Sequence, residues 1–200
     1  MASHLPTESE MQNGDVGAVR LIIALDIDGV LSRQLDEVEL RQIPDSSELP
    51  FGSAWVEDHR GVTRLVHTAP AVIAELDDIV QLPGVQLVWL TSAPTFLPRA
   101  IELAFGGRLT DGIVLADHRK QSNWKMTKLV GHVRSVGNPP YVWADATAIE
   151  FAFRVSPAFR NDDIGPRQRL LICPDPSIGL TLDDVEAIRD FGLDVLGENE

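Results

Sequence analysis

Apolar residues gather in short unbroken runs, "LIIAL" from 21, "VQLVWL" from 85, "YVWA" from 141 and "RLLIC" from 169, each cut off by polar, Gly or Pro residues. Continuous runs of this length suit strands buried on both faces of a parallel sheet. Between them, apolar positions recur at helical spacing in "APAVIAELDDIVQL" from 69, "TFLPRAIELAF" from 95, "NWKMTKLVGHVRSV" from 123 and "TLDDVEAIRDFG" from 181. Strand then helix, repeated, predicts an α/β fold with a doubly wound, mainly parallel sheet. A weaker run, "GIVLA" from 112, predicts a fifth strand. Thr181, followed by Leu182, Asp183 and Asp184, predicts a helix N-cap with an acidic first turn, and Gly192 predicts its stop.

One segment breaks the alternation. "SAWVEDHRGVTRLVHT", residues 53 to 68, has two β-rich arms around "DHRG" and predicts a hairpin between the first strand and the first long helix. It is too short to be a second domain. The 200 residues hold enough apolar interior for one domain, placed at 19–196 with the hairpin as a small flap. Residues 1 to 18, polar and small without an apolar period, predict a mobile leader, and the terminal "GENE" predicts fraying.

Charge narrows the functional classes. A formal net charge of -13 opposes extensive binding to a phosphate backbone, although a metal can still hold a small anionic substrate. The single cysteine, Cys173, excludes an intramolecular disulfide and a cysteine-based zinc cluster, and is expected as a small buried apolar residue. No apolar run approaches a membrane span, and the first residues lack the order of a secretory signal. The expectation is a soluble cytoplasmic protein without a membrane partner.

In open α/β sheets, ligands bind at the carboxyl ends of the strands, so the residues following each run are the candidates. Asp26 and Asp28 follow "LIIAL", Thr91 and Ser92 follow "VQLVWL", and Asp145 follows "YVWA"; Lys125 stands at a predicted helix start. Carboxylates from different strands can hold Mg²⁺ while a phosphate and waters complete its oxygen shell. Asp26 can attack phosphorus to form an aspartyl phosphate, and Asp28 can protonate the leaving oxygen and then activate water. Thr91 can bond a phosphoryl oxygen, and Lys125 can offset the charge that forces Asp26 and a phosphate apart. Gly29 lets the backbone turn tightly beside them.

"LDIDGVLS", "LVWLTSAP", "NWKMTKL" and "YVWADAT", in that order over about 125 residues, resemble the four motifs of the haloacid dehalogenase (HAD) superfamily of Mg²⁺-dependent phosphotransferases. Trp89, Trp124 and Trp143, with the later "PDPSIGLT", are similar to a small HAD branch found in Swiss Army Knife RNA repair proteins. The resemblance implies a HAD-like Rossmannoid fold and a phosphatase acting through an aspartyl phosphate. By position it puts the nucleophile on Asp26, the acid/base on Asp28, the phosphate-binding hydroxyl on Thr91 and the cation on Lys125, with Lys128 in reserve. It puts the metal on Asp26, Asp145 and the backbone carbonyl of Asp28. The family often has two acids in its fourth motif, whereas Asp145 is followed here by Ala146 and Thr147. The hairpin in place of a large cap implies an open site, suited to a large phosphorylated substrate such as a nucleic-acid end or a phosphoprotein, or to closure by another subunit.

Two other classes compete. A receiver-like signalling module gathers similar groups but places two adjacent acids after its first strand; here Ile27 separates them. A catalytically silent HAD-like scaffold that binds a partner follows from the missing second acid. Elsewhere, His59 and His67 are expected as a surface pair across the hairpin, the three motif tryptophans as core, and Arg119 and Lys120 as part of an exposed loop.

Overall fold

The computed structural model describes residues 18–34, 52–58, 61–117, 123–160 and 168–197. Strand β1 (Leu21–Leu25) is followed by β2 (Gly52–Glu57) and β3 (Thr63–Thr68), then by α1 (Pro70–Val80), β4 (Val85–Leu90), α2 (Leu97–Leu103) and β5 (Ile113–Leu115). Next come α3 (Trp124–Ser135), β6 (Tyr141–Ala144), α4 (Ala148–Val155), α5 (Pro157–Arg160), β7 (Arg169–Ile172) and α6 (Leu182–Leu196). The larger sheet runs β5-β4-β1-β6-β7, and every pairing in it is parallel. β2 and β3 form a separate antiparallel hairpin. This α/β arrangement is compatible with a Rossmann-like fold. Strand order reverses at β1, so the crevice between β1 and β6 is the switch point at which such sheets bind ligands.

Both faces of the central strand are covered, which explains its unbroken apolar run. Leu21, Ile23 and Leu25 face a core built with Val72, Ile73 and Leu76 of α1 and Val185 and Ile188 of α6. Ile22 and Ala24 face the opposite core, with Leu129 and Val133 of α3 and Ile149 and Ala152 of α4. β5, whose run is the weakest, is an edge strand with Ile113 and Val114 partly in solvent. Val56 and Val66 plug the hairpin into the first of these cores, while Trp55 on its other face is 66 % exposed. Among the described residues, the hairpin is the only regular element between β1 and α1.

Several expectations change. Helix α6 does not stop at Gly192 but continues to Leu196 and ends at Gly197 in the left-handed conformation, φ 72°. Gly192 is buried, and a β-carbon there would lie 3.3 Å from Leu21 Cδ2; it serves the close approach of helix to strand. At the other end, Thr181 caps α6 as expected, in a reciprocal capping box with Asp184. Helices α4 and α5 are additional, and the N-cap residue of α4, Thr147, makes no side-chain cap bond of its own. Cys173 is exposed rather than buried; it lies just past β7, an edge strand of the sheet. His67 is buried, with Nδ1 2.7 Å from Ser53 Oγ, its register partner on β2. Burial, helped by Arg33, holds its imidazole pKa below the usual value. His59, Arg60, Arg119, Lys120, the leader through residue 17 and residues 198–200 lie outside the described residues. No helix among the described residues is long and apolar enough to cross a membrane.

Candidate active site

The ladder of β1 continues one residue past the strand: Asp26 N donates to Ala144 O at 3.1 Å, and Asp145 N donates likewise to Ile172 O at 3.1 Å. These bonds hold Asp26 and Asp145 at the carboxyl ends of two adjacent strands, where their side chains meet across the switch point. Lys125, in the first turn of α3, inserts its ammonium between them. Its Nζ donates to Asp145 Oδ2 at 2.7 Å and also to Asp26 Oδ2. Trp124, beside it, is buried and anchors that turn, with Lys125 Nζ 5.9 Å from the indole centroid. Lys128 is exposed one turn further on.

Asp145 is completely buried and fixed on its other oxygen as well. Oδ1 accepts from Thr147 N at 2.9 Å and Ala148 N at 2.6 Å, the backbone donors that open α4. The carboxylate therefore caps a helix start and binds an ammonium at once, which offsets the cost of burying its charge. Asp26 has fewer partners. Burial pushes its carboxyl up to about 6 despite the attraction of Lys125, and the neighbouring Asp145 charge adds to the rise. Burial alone would lower the Lys125 pKa, but the two carboxylates outweigh it and raise it.

The turn after Asp26 brings Asp28 away from this trio. Ile27 O accepts from Leu31 N at 3.0 Å and Ser32 N at 2.8 Å, and Gly29 takes φ 76°. A β-carbon on Gly29 would lie 3.0 Å from both Ala146 Cβ and Pro176 Cβ, so only glycine fits between the β6 loop and the 174–180 loop. That later loop, part of "PDPSIGLT", straps the turn from outside: Gln34 N donates to Pro176 O at 2.7 Å, Arg33 Nε to Ser177 O at 2.6 Å, and Leu180 N to Val30 O at 2.8 Å. The Asp28 carboxylate is about half exposed and faces Arg64 of the hairpin, whose nearer nitrogen is 3.8 Å from Oδ2. Thr91, buried at the end of β4, accepts a 3.1 Å bond from Ala93 N through Oγ1, shaping its own loop.

Of the sequence-predicted residues, Asp26, Asp145 and Lys125 are thus in direct mutual contact, Asp28 stands apart with Arg64, and Thr91 follows the strand next to β1. No group of three or more His, Cys, Asp or Glu side chains converges among the described residues. The carboxylates of Asp26 and Asp145 are hard oxygen donors from two strands, the ligand type that Mg²⁺ takes, and here their Oδ2 atoms are engaged by the Lys125 ammonium. Sequence reasoning missed Arg64. Its signal was the hairpin itself, since the arms of such a flap alternate faces and one face must look toward the strand ends. A cavity of about 430 Å³ opens beside Lys125, lined also by Trp124, Thr147, Glu150, Phe151 and Arg154.

No family model, curated protein or solved structure matches this chain.

Proposed function

We propose that the protein is a Mg²⁺-dependent phosphomonoester hydrolase of the HAD-like kind, working through an aspartyl-phosphate intermediate on Asp26. The observation that carries this reading is one ammonium, Lys125, held between two carboxylates at the ends of neighbouring parallel strands, on the crevice where such sheets bind ligands. A structural ion pair needs no such address. Asp26 and Asp145 would hold the metal, with the backbone carbonyl of Asp28; the ion supplies charge neutralisation for a phosphoryl group.

Asp26 Oδ attacks phosphorus as the ester P–O bond breaks, and the departing oxygen takes the bond's electron pair and a proton from Asp28. Asp28 then accepts a proton from water as that water attacks phosphorus, releasing inorganic phosphate and restoring the Asp26 carboxylate. Lys125 lowers the repulsion between Asp26 and the incoming phosphate, and Thr91 can turn its hydroxyl to a phosphoryl oxygen. The cavity beside Lys125 supports the reading by leaving open space next to the site. Nucleotides, nucleic-acid ends, sugar phosphates and phosphoproteins are the substrate classes to assay, in a cytoplasmic setting.

The test is turnover of p-nitrophenyl phosphate with and without Mg²⁺, followed by acid quench and peptide mapping. Phosphate on the peptide containing Asp26, and loss of turnover in folded Asp26→Asn, are the expected results; a phosphorylated residue elsewhere refutes the mechanism. A second reading, a silent scaffold of the same fold, draws on Ala146, which stands where the family often has an acid and is packed against Gly29. Absence of turnover on every phosphate ester would select it.

A further inference from the structure

Arg64 belongs to the hairpin, not to the sheet that carries the other site residues, yet its guanidinium overhangs the turn after β1. Asp28 lies two residues from Asp26, so the backbone between them spans at most about 7 Å. The 3.8 Å approach of Arg64 to Asp28 is longer than a hydrogen bond, and both side chains are about half exposed. The guanidinium therefore lies beside the turn that follows Asp26, near an accessible carboxylate but not hydrogen-bonded to it. Beneath it is the ring of Phe96, buried, with its centroid 5.6 Å from the Arg64 guanidinium carbon. Phe96 stands in the loop after β4 and gives the cation a fixed shelf.

Charge makes this placement informative. Lys125 is already committed to Asp26 and Asp145, and the chain as a whole carries -13. An anion larger than a single phosphoryl group finds Arg64 as the cation facing the turn, and a guanidinium offers a planar fork matched to phosphate oxygens. A tether for the hairpin is a poor account of the residue. Exposed pairs at this distance contribute little to stability. The hairpin is held already by Val56 and Val66 in the core and by Arg33 N donating to His67 O at 3.0 Å.

We propose that Arg64 is a specificity-determining residue that binds a second phosphoryl group of the substrate, so that the site prefers phosphate esters carrying two phosphates a short chain apart. This rests on the hydrolase reading for the scissile phosphate, but binding and turnover can be read separately.

The experiment uses the full chain with Mg²⁺. Calorimetry measures affinity for propane-1,3-bisphosphonate and for propylphosphonate, neither of which can be hydrolysed, and kcat/KM is measured for propane-1,3-diol bisphosphate and propyl phosphate. The wild type should favour the bis compound in both measurements, and Arg64→Met should cut that preference ratio roughly 10- to 100-fold, the range for a charged hydrogen-bonded contact. Arg64→Lys, which keeps the charge without the fork, should fall between them and covers the case of a poorly folding Arg64→Met. A wild type that does not distinguish the two compounds, or a ratio unmoved in both variants, overturns the proposal while turnover of propyl phosphate keeps the hydrolase reading. Arg64-dependent binding of the bisphosphonate without turnover of either ester does the reverse.

Discussion

Asp26→Asn should stabilise the metal-free protein at neutral pH while removing turnover. The Asp26 carboxyl is pushed from 3.8 up to about 6, chiefly by burial, with Lys125 opposing. A pKa raised on folding means that the native state holds the proton more tightly than the unfolded chain does. Stability from this group is present below about pH 4, is lost as pH rises through about 6, and above that the full cost of the buried charge remains. At about 1.36 kcal/mol per unit, a rise of about two units corresponds to roughly 3 kcal/mol, an upper bound once local relaxation is allowed. Asparagine keeps the shape and can still accept from Lys125, but it never ionises. The gain in a chain of this size should be roughly 3 to 10 °C in Tm at pH 7.5, shrinking toward zero near pH 4. Melting curves of both proteins from pH 4 to 8, with a chelator because bound metal would stabilise the wild type by mass action, provide the measurement. A Tm difference independent of pH, or a variant less stable than wild type at pH 8, refutes the reasoning.

Other outcomes follow from the same contacts. Mg²⁺ binding followed by calorimetry should vanish in Asp26→Ala, Asp145→Ala; binding unchanged in that double variant moves the metal elsewhere. Lys125→Met leaves Asp26 and Asp145 buried without their shared ammonium, and should cost about 3–5 kcal/mol in urea unfolding at pH 7.5 but less at pH 5, where Asp26 takes up a proton. Gly29→Ala must adopt φ near 76° and force β-carbons apart from 3.0 Å; a loss of about 2–4 kcal/mol is expected, and a loss below 1 would show that the turn is not tightly packed. Shortening the hairpin around Arg60 and Gly61 should change preference among large phosphorylated substrates while a small generic ester is still turned over; loss of that turnover in a folded variant would show that the hairpin builds the site itself.

The apolar runs and the helical spacing between them determined the α/β class, because strands covered on both faces need no polar alternation and covering helices need one apolar stripe. Asp26, Thr91 and Asp145 were legible as strand-end residues for the same reason: a buried run has to stop where the chain returns to solvent. The chain could not declare which strands are neighbours. Strand order makes β1 and β6 adjacent although they are more than a hundred residues apart, and only that pairing lets Lys125 reach both carboxylates. Local reasoning also misread Gly192 and Cys173. A glycine that ends a helix and one that lets a strand lie close look identical in sequence, and the burial of a cysteine one residue past a strand depends on what covers that end of the sheet. Arg64 had no signal beyond the hairpin's alternation of faces. Its meaning comes from a hairpin folding back over a turn thirty-odd residues earlier, a long-range placement set by Val66 and by Val56, the register partner of Arg64 on β2, entering the core.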